Sequence, residues 1–260
     1  MQFNQIANVH SLNIHPQLDV ILFGGNPSSL MYLKMKRKYC EDLGIEFNQH
    51  SVISKESLVD KINELNSNDK VKGYFIQLPL PQLTDVSSQN LLDLIDPKKD
   101  IDCLTSLNLG KVLSGSQQYL PGTVRGIINI LDTLNVSYKS KNIVIVNNSI
   151  LIGKPIAMYL SNKGSTVTIC NEFTLELKSL TINADILITA TGVKHLITES
   201  MVKKDSIIID AGICIENGQL FGDVDFKHVL KKVQYITPVP GGVGPLTITF
   251  LVQNLIDTYK

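Results

Sequence analysis

Short, almost uninterrupted runs of β-forming apolar residues constrain the fold of this chain more than any other feature. The runs LDVILF, NIVIVN and ADILIT each stand between longer amphipathic or polar segments. Strands that are apolar on both faces belong to parallel sheets covered by helices, and their alternation with helical segments is the βαβ pattern. The sequence therefore predicts an α/β fold with parallel sheets.

Two such series follow one another along the chain. The first contains LDVILF, FNQHSVIS and VKGYFIQL, and the second starts near Pro121 and ends at YITPVP. A chain of 260 residues has room for two modest domains. We predict an N-terminal parallel-sheet domain over residues 1–118, completed by a C-terminal helix, 246–260, that packs back on it. A Rossmann-type nucleotide-binding domain is predicted over residues 119–245.

Charge and cysteine usage exclude some classes of protein. Lys plus Arg equals Asp plus Glu at 24 each, so there is no electrostatic signature of nucleic-acid or membrane binding. The N-terminal residues lack the basic start and apolar run of a signal peptide, and we expect a cytoplasmic protein. The four cysteines, Cys40, Cys103, Cys170 and Cys214, are far apart in sequence, and neither a metal site nor a disulfide framework is expected.

The stretch PSSLMYLKMKRKYCEDLG, residues 27–44, is typical of a helix. Ser28 or Ser29 offers an N-cap oxygen, and Gly44 is placed to end the helix. Tyr32 and Lys36 are four residues apart, so an aromatic ring and an amine share one face. Spacing alone leaves two interpretations open: a solvated basic helix, or a site that uses the ring and the amine.

Two further polar positions follow the third strand. Gln77 ends GYFIQ, at the carboxyl end of a parallel strand, where α/β sheets bind ligands. Asp100 and Asp102 flank Ile101 in an irregular segment, so their carboxylates are placed to point the same way. For Gln77 a plain strand exit remains open. For the two aspartates the alternatives are solvated turn residues or acceptors for an amidine-like ring edge.

The segment NIVIVNNSILIGKP carries the nucleotide hypothesis. It lacks GxGxxG and has instead the spacing Asn147-x-Ser149-x-x-x-Gly153, with Asn147 where a Rossmann turn has its first glycine. Asn tolerates positive φ better than most residues. Backbone N–H groups from Gly153 onward open a helix and are predicted to face a pyrophosphate. Glu172 ends the next strand, where a carboxylate binds ribose hydroxyls and repels a 2′-phosphate; an exposed loop glutamate is the alternative.

The densest Gly and Pro stretch is TPVPGGVGPLT, residues 237–247. Its prolines stiffen the chain, and its glycines permit close backbone approach. Pro245 suits the first turn of a final helix. We predict a ligand-facing wall here. His195 has no nucleophile and acid to complete a catalytic triad.

Together these motifs resemble those of the bifunctional methylenetetrahydrofolate dehydrogenase/methenyltetrahydrofolate cyclohydrolase family. The matching stretches are GNPSSLMYLKMKRK, GYFIQLPLP, DPKKDIDCLT with NLGKVL, PGTVRGI, SILIGKP, TVTIC, IIDAGI, GDVDF and YITPVPGGVGPLT. The resemblance implies oxidation of 5,10-methylenetetrahydrofolate with NADP or NAD, then hydrolysis of the methenyl product to 10-formyltetrahydrofolate. It also implies a two-domain homodimer that binds tetrahydrofolate derivatives in the cleft.

The resemblance assigns roles to individual residues. Lys36 matches the catalytic lysine, Gln77 the glutamine that hydrogen-bonds it, Tyr32 the tyrosine that stacks on folate, and Asp102 the aspartate that grips the pterin. Further substrate-binding residues implied are Leu78, Pro79, Pro240, Gly241, Gly242 and Pro245. Cofactor-binding residues implied are Asn147, Asn148, Ser149, Ile152, Gly153, Glu172, Thr191, Gly192, Ile213 and Gly242.

The chain also departs from the family pattern. Cys103 replaces a glycine, Val124 a proline, Asn147 and Asn148 a glycine and a frequently basic neighbour, and Asn171 and Glu172 residues that often include a histidine and a 2′-phosphate binder. The nucleotide-side changes remove NADP determinants and favour NAD. They leave open a cyclohydrolase with weak or absent dehydrogenase activity. A non-catalytic folate-binding paralogue is a further alternative, against which the intact folate-side residues argue.

Overall fold

The computed structural model describes residues 15–25, 27–80 and 87–260, without the side chains of 27–29, 31 and 32. The described chain divides into two compact units. The first unit comprises the described residues up to 111 together with 117–119 and 248–260, and the second comprises 112–116 and 120–247.

The elements alternate between strands and helices along most of the chain. In order they are β1 (Gln17–Phe23), α1 (Pro27–Asp42), β2 (Glu46–Val52), α2 (Lys55–Ser67), β3 (Tyr74–Gln77), α3 (Ser88–Leu92), α4 (Ser106–Ser114), α5 (Gly122–Thr133), β4 (Asn142–Val146), α6 (Gly153–Asn162), β5 (Thr166–Cys170), α7 (Leu177–Thr181), β6 (Ile186–Thr189), β7 (Ile207–Asp210), β8 (Cys214–Glu216), β9 (Gln219–Phe221), α8 (Phe226–Val229), β10 (Tyr235–Ile236) and α9 (Val243–Asp257).

The sheet of the first unit has the order β2-β1-β3, and its strands are parallel. Tyr74 in β3 also forms a parallel bridge with Asp100, so the chain beyond α3 returns alongside β3. Gln77 lies three residues after Tyr74, and Asp102 lies two residues after Asp100. Both therefore come towards the carboxyl end of the sheet, where α/β proteins bind ligands.

The core of the first unit lies between β1, α1 and the C-terminal helix α9. Leu18 and Val20 of β1 are buried in one cluster with Leu33 of α1 and with Val252 and Leu255 of α9. The Tyr39 hydroxyl and Thr249 Oγ1 are 2.8 Å apart, which ties α1 to α9. The predicted packing of the C-terminal helix on the first domain is confirmed.

The second unit contains a five-stranded parallel sheet of order β10-β7-β6-β4-β5. Strand β4 lies between β5 and β6, so the chain leaves β4 to one side and later crosses to the other. The carboxyl end of β4 is therefore a topological switch point, the place where doubly wound sheets bind dinucleotides. The predicted parallel α/β architecture is confirmed.

Three element predictions need correction. Helix α1 begins at Pro27, so Ser28 and Ser29 lie in its first turn and not at the N-cap. Helix α9 begins at Val243, three residues before the predicted start, because Gly244 and Pro245 are tolerated in a first turn. Helix α4 and the antiparallel hairpin β8–β9 were not predicted, and both are short. Gly44 does end α1, with φ of +72°.

Candidate functional site

Lys36 is the centre of the site in the first unit. It projects from α1 towards β3, where its Nζ donates a hydrogen bond of 3.0 Å to Gln77 Oε1. The same Nζ lies 4.1 Å from the centroid of the Phe75 ring. The amine is thus held by two side chains of one strand, and the interpretation of α1 as a wholly solvated basic helix does not apply to this residue.

Burial and charge act in opposite directions on Lys36. Burial lowers the Lys36 pKa from its ordinary value, and the charge of Asp102 opposes this shift. Cys40, one helical turn further on, carries a thiol whose pKa burial raises to about 12, so it stays protonated near neutral pH. A lysine whose pKa is lowered releases its proton more readily than an exposed lysine, which is the change that acid–base catalysis by an amine requires.

Gln77 presents its carbonyl oxygen to Lys36 in a defined orientation. Its Nε2 donates a 2.8 Å hydrogen bond to the carbonyl of Leu78, so Oε1 is the atom left facing the amine. Leu78 and Pro79 follow directly and are joined by a cis peptide bond. A neutral acceptor positions the amine without adding a charge that would favour its protonated form.

Asp100 and Asp102 have different environments. Asp100 is buried, and its carboxylate accepts hydrogen bonds from the backbone N–H groups of Leu104 and Thr105 at 3.2 and 2.8 Å. Asn108 Nδ2 donates a third bond of 2.9 Å. Asp100 therefore shapes the start of α4.

Asp102 is the carboxylate that remains for chemistry. It is half-buried, and burial raises its pKa to about 6, while Lys36 acts in the opposite sense. Cys103, the next residue, has φ of +59°, a conformation that glycine adopts without strain. Its buried thiol donates to the Tyr119 carbonyl at 3.5 Å, and burial raises its pKa, so it is a structural thiol and not a reactive one.

Lys99 anchors the segment that carries Asp102, a role that the sequence reasoning missed. Its Nζ donates to the carbonyls of Leu65, Asn66 and Asn68 at 2.7 to 2.9 Å, which satisfies the C-terminal end of α2. A cation at a helix C-terminus is also favoured by the helix dipole. Its position in the charged run PKKD indicates a charged contact. Only the fold shows that Lys99, and not Lys98, reaches the end of a helix.

Helix α1 also carries Tyr32, Lys34 and Lys38. The backbone of Tyr32 lies in α1, and its side chain lies outside the described part of the structure. Lys34 and Lys38 are exposed. Each is two positions from Lys36 along the helix, a rotation of about 200°. They therefore point away from the site that Lys36 enters.

In the second unit, Asn147 organises the turn after β4 with its side chain. Its Oδ1 accepts from Ser149 N, Ser149 Oγ and Gly153 N at 2.7 to 2.9 Å, and its Nδ2 donates to the Ala190 carbonyl at 2.6 Å. The φ angle of Asn147 is not positive. Asn147 therefore does not replace a glycine through backbone freedom; it joins β4, α6 and the end of β6 through four hydrogen bonds.

The start of α6 packs directly on the end of β4. A Cβ on Gly153 would lie 1.9 Å from the Asn147 carbonyl oxygen, so only glycine fits. The N–H groups of Ile152, Gly153 and Lys154 already have acceptors in the turn, namely Ser149 Oγ, Asn147 Oδ1 and Ser149 O. The expected use of Gly153 and Lys154 amides for a pyrophosphate would require exchange of these bonds.

Polar groups surround this switch point at the carboxyl ends of the neighbouring strands. Glu172 and Phe173 are exposed directly after β5, in a turn where Asn171 Oδ1 accepts from Phe173 N at 3.0 Å. Thr191 and Gly192 follow β6, and Ile213 follows β7. Because all four strands are parallel, these residues share one edge of the sheet with Asn148 and Ser149. Doubly wound sheets bind dinucleotides at such a switch point.

Two buried carboxylates support that edge, and the sequence reasoning did not single them out. Asp223 accepts from Thr189 Oγ1 and from the N–H groups of Thr191, Gly192 and Val193 at 2.6 to 3.1 Å. A Cβ on Gly212 would lie 2.0 Å from Asp223 Oδ1. These bonds hold the loop after β6, which carries two of the predicted cofactor residues.

Asp210, at the end of β7, completes the support. It accepts from the N–H groups of Gly212, Asp223 and Val224 at 2.9 to 3.1 Å, and burial raises its pKa to about 6. A Cβ on Gly222 would lie 2.1 Å from its Oδ2. The stretches IIDAGI and GDVDF therefore pack against each other. The aspartate of each stretch occupies the space that a side chain at the glycine of the other would need.

The Gly- and Pro-rich loop after β10 is closely folded. Gly241 has φ of +101°, and a Cβ on Gly242 would lie 2.5 Å from the Pro238 carbonyl. Pro240 is exposed and follows a cis peptide bond, and Pro245 is half-buried in the first turn of α9. The glycines are required by the loop's own geometry, whether or not a ligand contacts it.

The described residues contain neither a metal-binding cluster nor a membrane-spanning helix. In that part of the chain, no group of three or more His, Cys, Asp or Glu side chains could hold a metal ion. Among the same residues, no helix is both long and apolar enough to span a membrane.

The fold and site define a dinucleotide-binding α/β enzyme that carries a second site built on a half-buried lysine whose pKa is lowered. Residues 2–102 match the catalytic domain, and residues 121–260 the NAD(P)-binding domain, of tetrahydrofolate dehydrogenase/cyclohydrolase. The chain belongs to this family and is a bifunctional methylenetetrahydrofolate dehydrogenase and methenyltetrahydrofolate cyclohydrolase.

Full-length relatives support the assignment. The bifunctional protein FolD of Methanosarcina barkeri is 43% identical over 253 residues, which cover 96% of this chain and 88% of the relative. The crystal structure of the bifunctional enzyme FolD from Campylobacter jejuni is 39% identical, with a TM-score of 0.90 over 96% of this chain and 90% of that one. A Trypanosoma brucei FolD structure, described as complexed with NADP cofactor and inhibitor, is 28% identical with a TM-score of 0.88, covering 99% of this chain and 91% of that one.

Proposed function

We propose that Lys36 is the acid–base residue of the cyclohydrolase, that Gln77 positions it, and that Asp102 binds the pterin edge. The observation that carries this proposal is the 3.0 Å bond from Lys36 Nζ to Gln77 Oε1 on an amine whose pKa is lowered by burial. Tyr32, on the same helix, is proposed to stack on the folate, and Leu78 and Pro79 to line its site.

The hydrolysis needs one group that both accepts and returns a proton. Water adds its oxygen to the methenyl carbon, and its proton passes to the free amine of Lys36. The tetrahedral carbon then forms its C=O bond and loses its hydroxyl proton, the bond from carbon to N5 breaks, and N5 takes a proton from the Lys36 ammonium. The sum is methenyl cation plus water giving 10-formyltetrahydrofolate and one proton. An arginine would not serve, because it keeps its proton at neutral pH.

The dehydrogenase step makes a different demand on the protein. When bound, the nicotinamide cofactor accepts the hydride that leaves the methylene carbon. The cation that remains is stabilised by its two nitrogens, so this step depends on alignment more than on an acid or base. We propose that the dinucleotide is bound by residues at the carboxyl ends of the parallel strands of the second unit. The loop from Pro240 to Pro245 is proposed to line the same binding site. The residues proposed to bind the dinucleotide are Asn147, Asn148, Ser149, Ile152, Gly153, Glu172, Thr191, Gly192, Ile213 and Gly242.

We further propose a preference for NAD over NADP. Glu172 is an exposed carboxylate at the end of β5, and its neighbours Asn171 and Phe173 are uncharged. Asn148 in the turn after β4 is also exposed and uncharged. A carboxylate binds the ribose hydroxyls of NAD and repels a 2′-phosphate.

Initial rates of methenyl formation with each cofactor test this preference. We expect kcat/KM to be higher with NAD. The Glu172→Ser, Phe173→Arg double variant should move the NAD/NADP ratio towards NADP by roughly tenfold or more, whereas Glu176→Gln, at an exposed glutamate beyond the turn, should leave it unchanged. A wild-type preference for NADP would refute the proposal.

The Lys36→Met variant tests the cyclohydrolase assignment. Methenyl hydrolysis should fall to the uncatalysed rate, with methenyl formation and folate affinity largely retained. Lys34→Met, at an exposed position of the same helix, is the matched control and should keep both activities. Hydrolysis that persists in Lys36→Met would show that another group is the base.

We also propose that the protein acts as a cytoplasmic homodimer, on the strength of its resemblance to the family. Sedimentation equilibrium of the purified chain tests the dimer, and a monomer across the micromolar range would contradict it.

A further inference from the structure

Phe75 and Gln77 contact the same atom from the same strand. Side chains two residues apart in a strand point to one face of the sheet, so both project from β3 towards α1. Lys36 Nζ lies 3.0 Å from Gln77 Oε1 and 4.1 Å from the Phe75 ring centroid. The amine is therefore held between an amide oxygen and the face of an aromatic ring.

The Phe75 ring is a rigid part of the core. It is 1% exposed and packs in the cluster that includes Leu22, Leu33 and Cys40. A ring in this position excludes water from one side of the amine and offers it the electron-rich face that attracts cations. A lysine side chain is otherwise flexible, with four rotatable bonds between its backbone and Nζ.

The ring has a distinct electrostatic effect among the groups that face Lys36. Asp102, from the segment after α3, carries a charge that favours the ammonium, and Cys40 on the same helix acts in the same direction on the Lys36 pKa. Burial favours the free amine. The ring face favours the ammonium without a charge of its own, so it limits the cost of the protonated state that hydrolysis passes through.

We propose that Phe75 is a positioning residue of the cyclohydrolase, whose ring face holds the Lys36 ammonium against Gln77 between the two proton transfers. The inference rests on the proposed role of Lys36. It predicts that weakening the electron density of the ring, at constant size, changes hydrolysis while leaving methenyl formation unchanged.

Site-specific replacement of Phe75 by mono-, di- and trifluorinated phenylalanine provides the test. Each added fluorine weakens the attraction of the ring for a cation. We expect the acid limb of the kcat profile for hydrolysis to move stepwise to lower pH, by about 0.5 to 1 unit over the series. Phe75→Leu should reach or exceed that shift and reduce the plateau kcat about tenfold.

A matched control exists on β2, which is separated from β3 by β1 in the same sheet. Phe47 of β2 lies in the same core cluster, with Arg37 of α1 at 4.8 Å from its ring centroid. Fluorination of Phe47 or Phe47→Leu should reduce stability without moving the acid limb. A limb that stays fixed across the Phe75 series, or that moves equally in the Phe47 series, would overturn the inference.

Failure of the inference can be told apart from failure of the proposed function. The Lys36 pKa is measured directly by NMR with lysine labelled at the ε-carbon, the signal being assigned by its loss in Lys36→Met. If Lys36→Met still hydrolyses the substrate, the proposed function fails, whatever the Phe75 series shows. If Lys36→Met is inactive and the Lys36 pKa is the same in all fluorinated proteins, only the role of Phe75 is refuted.

Discussion

The Oδ1 atom of Asn147 accepts a 2.9 Å hydrogen bond from Gly153 N. This bond spans the turn between β4 and α6 and brings the first residue of the helix against the end of the strand. A Cβ on Gly153 would meet the Asn147 carbonyl oxygen at 1.9 Å. The turn therefore needs the side-chain acceptor of Asn147 and a glycine, without a side chain, at position 153.

Gly153→Ala should destabilise the second unit and impair the dehydrogenase. The added Cβ clashes with backbone, which cannot move as a flexible side chain would, and we expect a loss of about 3 kcal/mol or more in the free energy of unfolding. Urea unfolding followed by circular dichroism measures it.

Gly110→Ala is the matched control for this substitution. Gly110 lies in α4, and a Cβ there would meet nothing within 4 Å. Alanine is the better helix former, so this variant should gain about 0.5 to 1 kcal/mol. Equal effects of the two substitutions would contradict the close packing of strand and helix.

Asp102→Asn should move the acid limb of hydrolysis to lower pH. The charge of Asp102 raises the Lys36 pKa, and the base is the free amine, so activity is lost as pH falls through that pKa. Removing the charge lowers the Lys36 pKa, and the limb should move down by about 0.5 to 1 unit. The plateau KM for folate should rise, because the proposed pterin contact is weakened.

The kcat profile for hydrolysis between pH 5 and 9 gives this shift. Asp60→Asn is the control, since it removes an exposed carboxylate on α2. A limb that moves to higher pH in Asp102→Asn would show that Asp102 does not favour the ammonium form.

Asp223→Ala should impair the dehydrogenase selectively. It removes the acceptor shared by Thr189 Oγ1 and the N–H groups of Thr191, Gly192 and Val193. Thr189 is buried, and a buried donor left unpaired costs about 1 to 3 kcal/mol. The loop carries Thr191 and Gly192, so the KM for the nicotinamide cofactor should rise at least tenfold. Hydrolysis of added methenyltetrahydrofolate, assigned to the first unit, should continue.

Asp225→Ala provides the comparison for Asp223→Ala. Asp225 is two residues away and pairs with the exposed His228 at 2.7 Å. Such a pair contributes about 0 to 1 kcal/mol, so cofactor KM should stay near the wild-type value. A similar KM increase in both variants would mean that the loop after β6 does not depend on the Asp223 carboxylate.

The sequence by itself determined the parallel α/β fold, the two strand series and the packing of the last helix. Strands such as NIVIV and DILIT bury both faces, and a pattern of that kind is local and can be recognised without coordinates. It also identified Lys36 and Gln77 as residues to be brought together, although only through resemblance to a family. The contact between Lys36 and Phe75 was not visible, because strand and helix register places an aromatic ring under one lysine and not another.

Only the tertiary structure decided which polar residues form structural hydrogen bonds and which stay available to a site. Asp100 and Asp102 are equivalent in sequence, yet Asp100 is occupied by backbone donors of α4 while Asp102 stays near Lys36. Asn147 resembled a glycine substitute and is instead a hydrogen-bonding centre. Hydrogen bonds between residues distant in sequence, and the burial that shifts a pKa, arise only when separate elements meet, so no local pattern of residues encodes them.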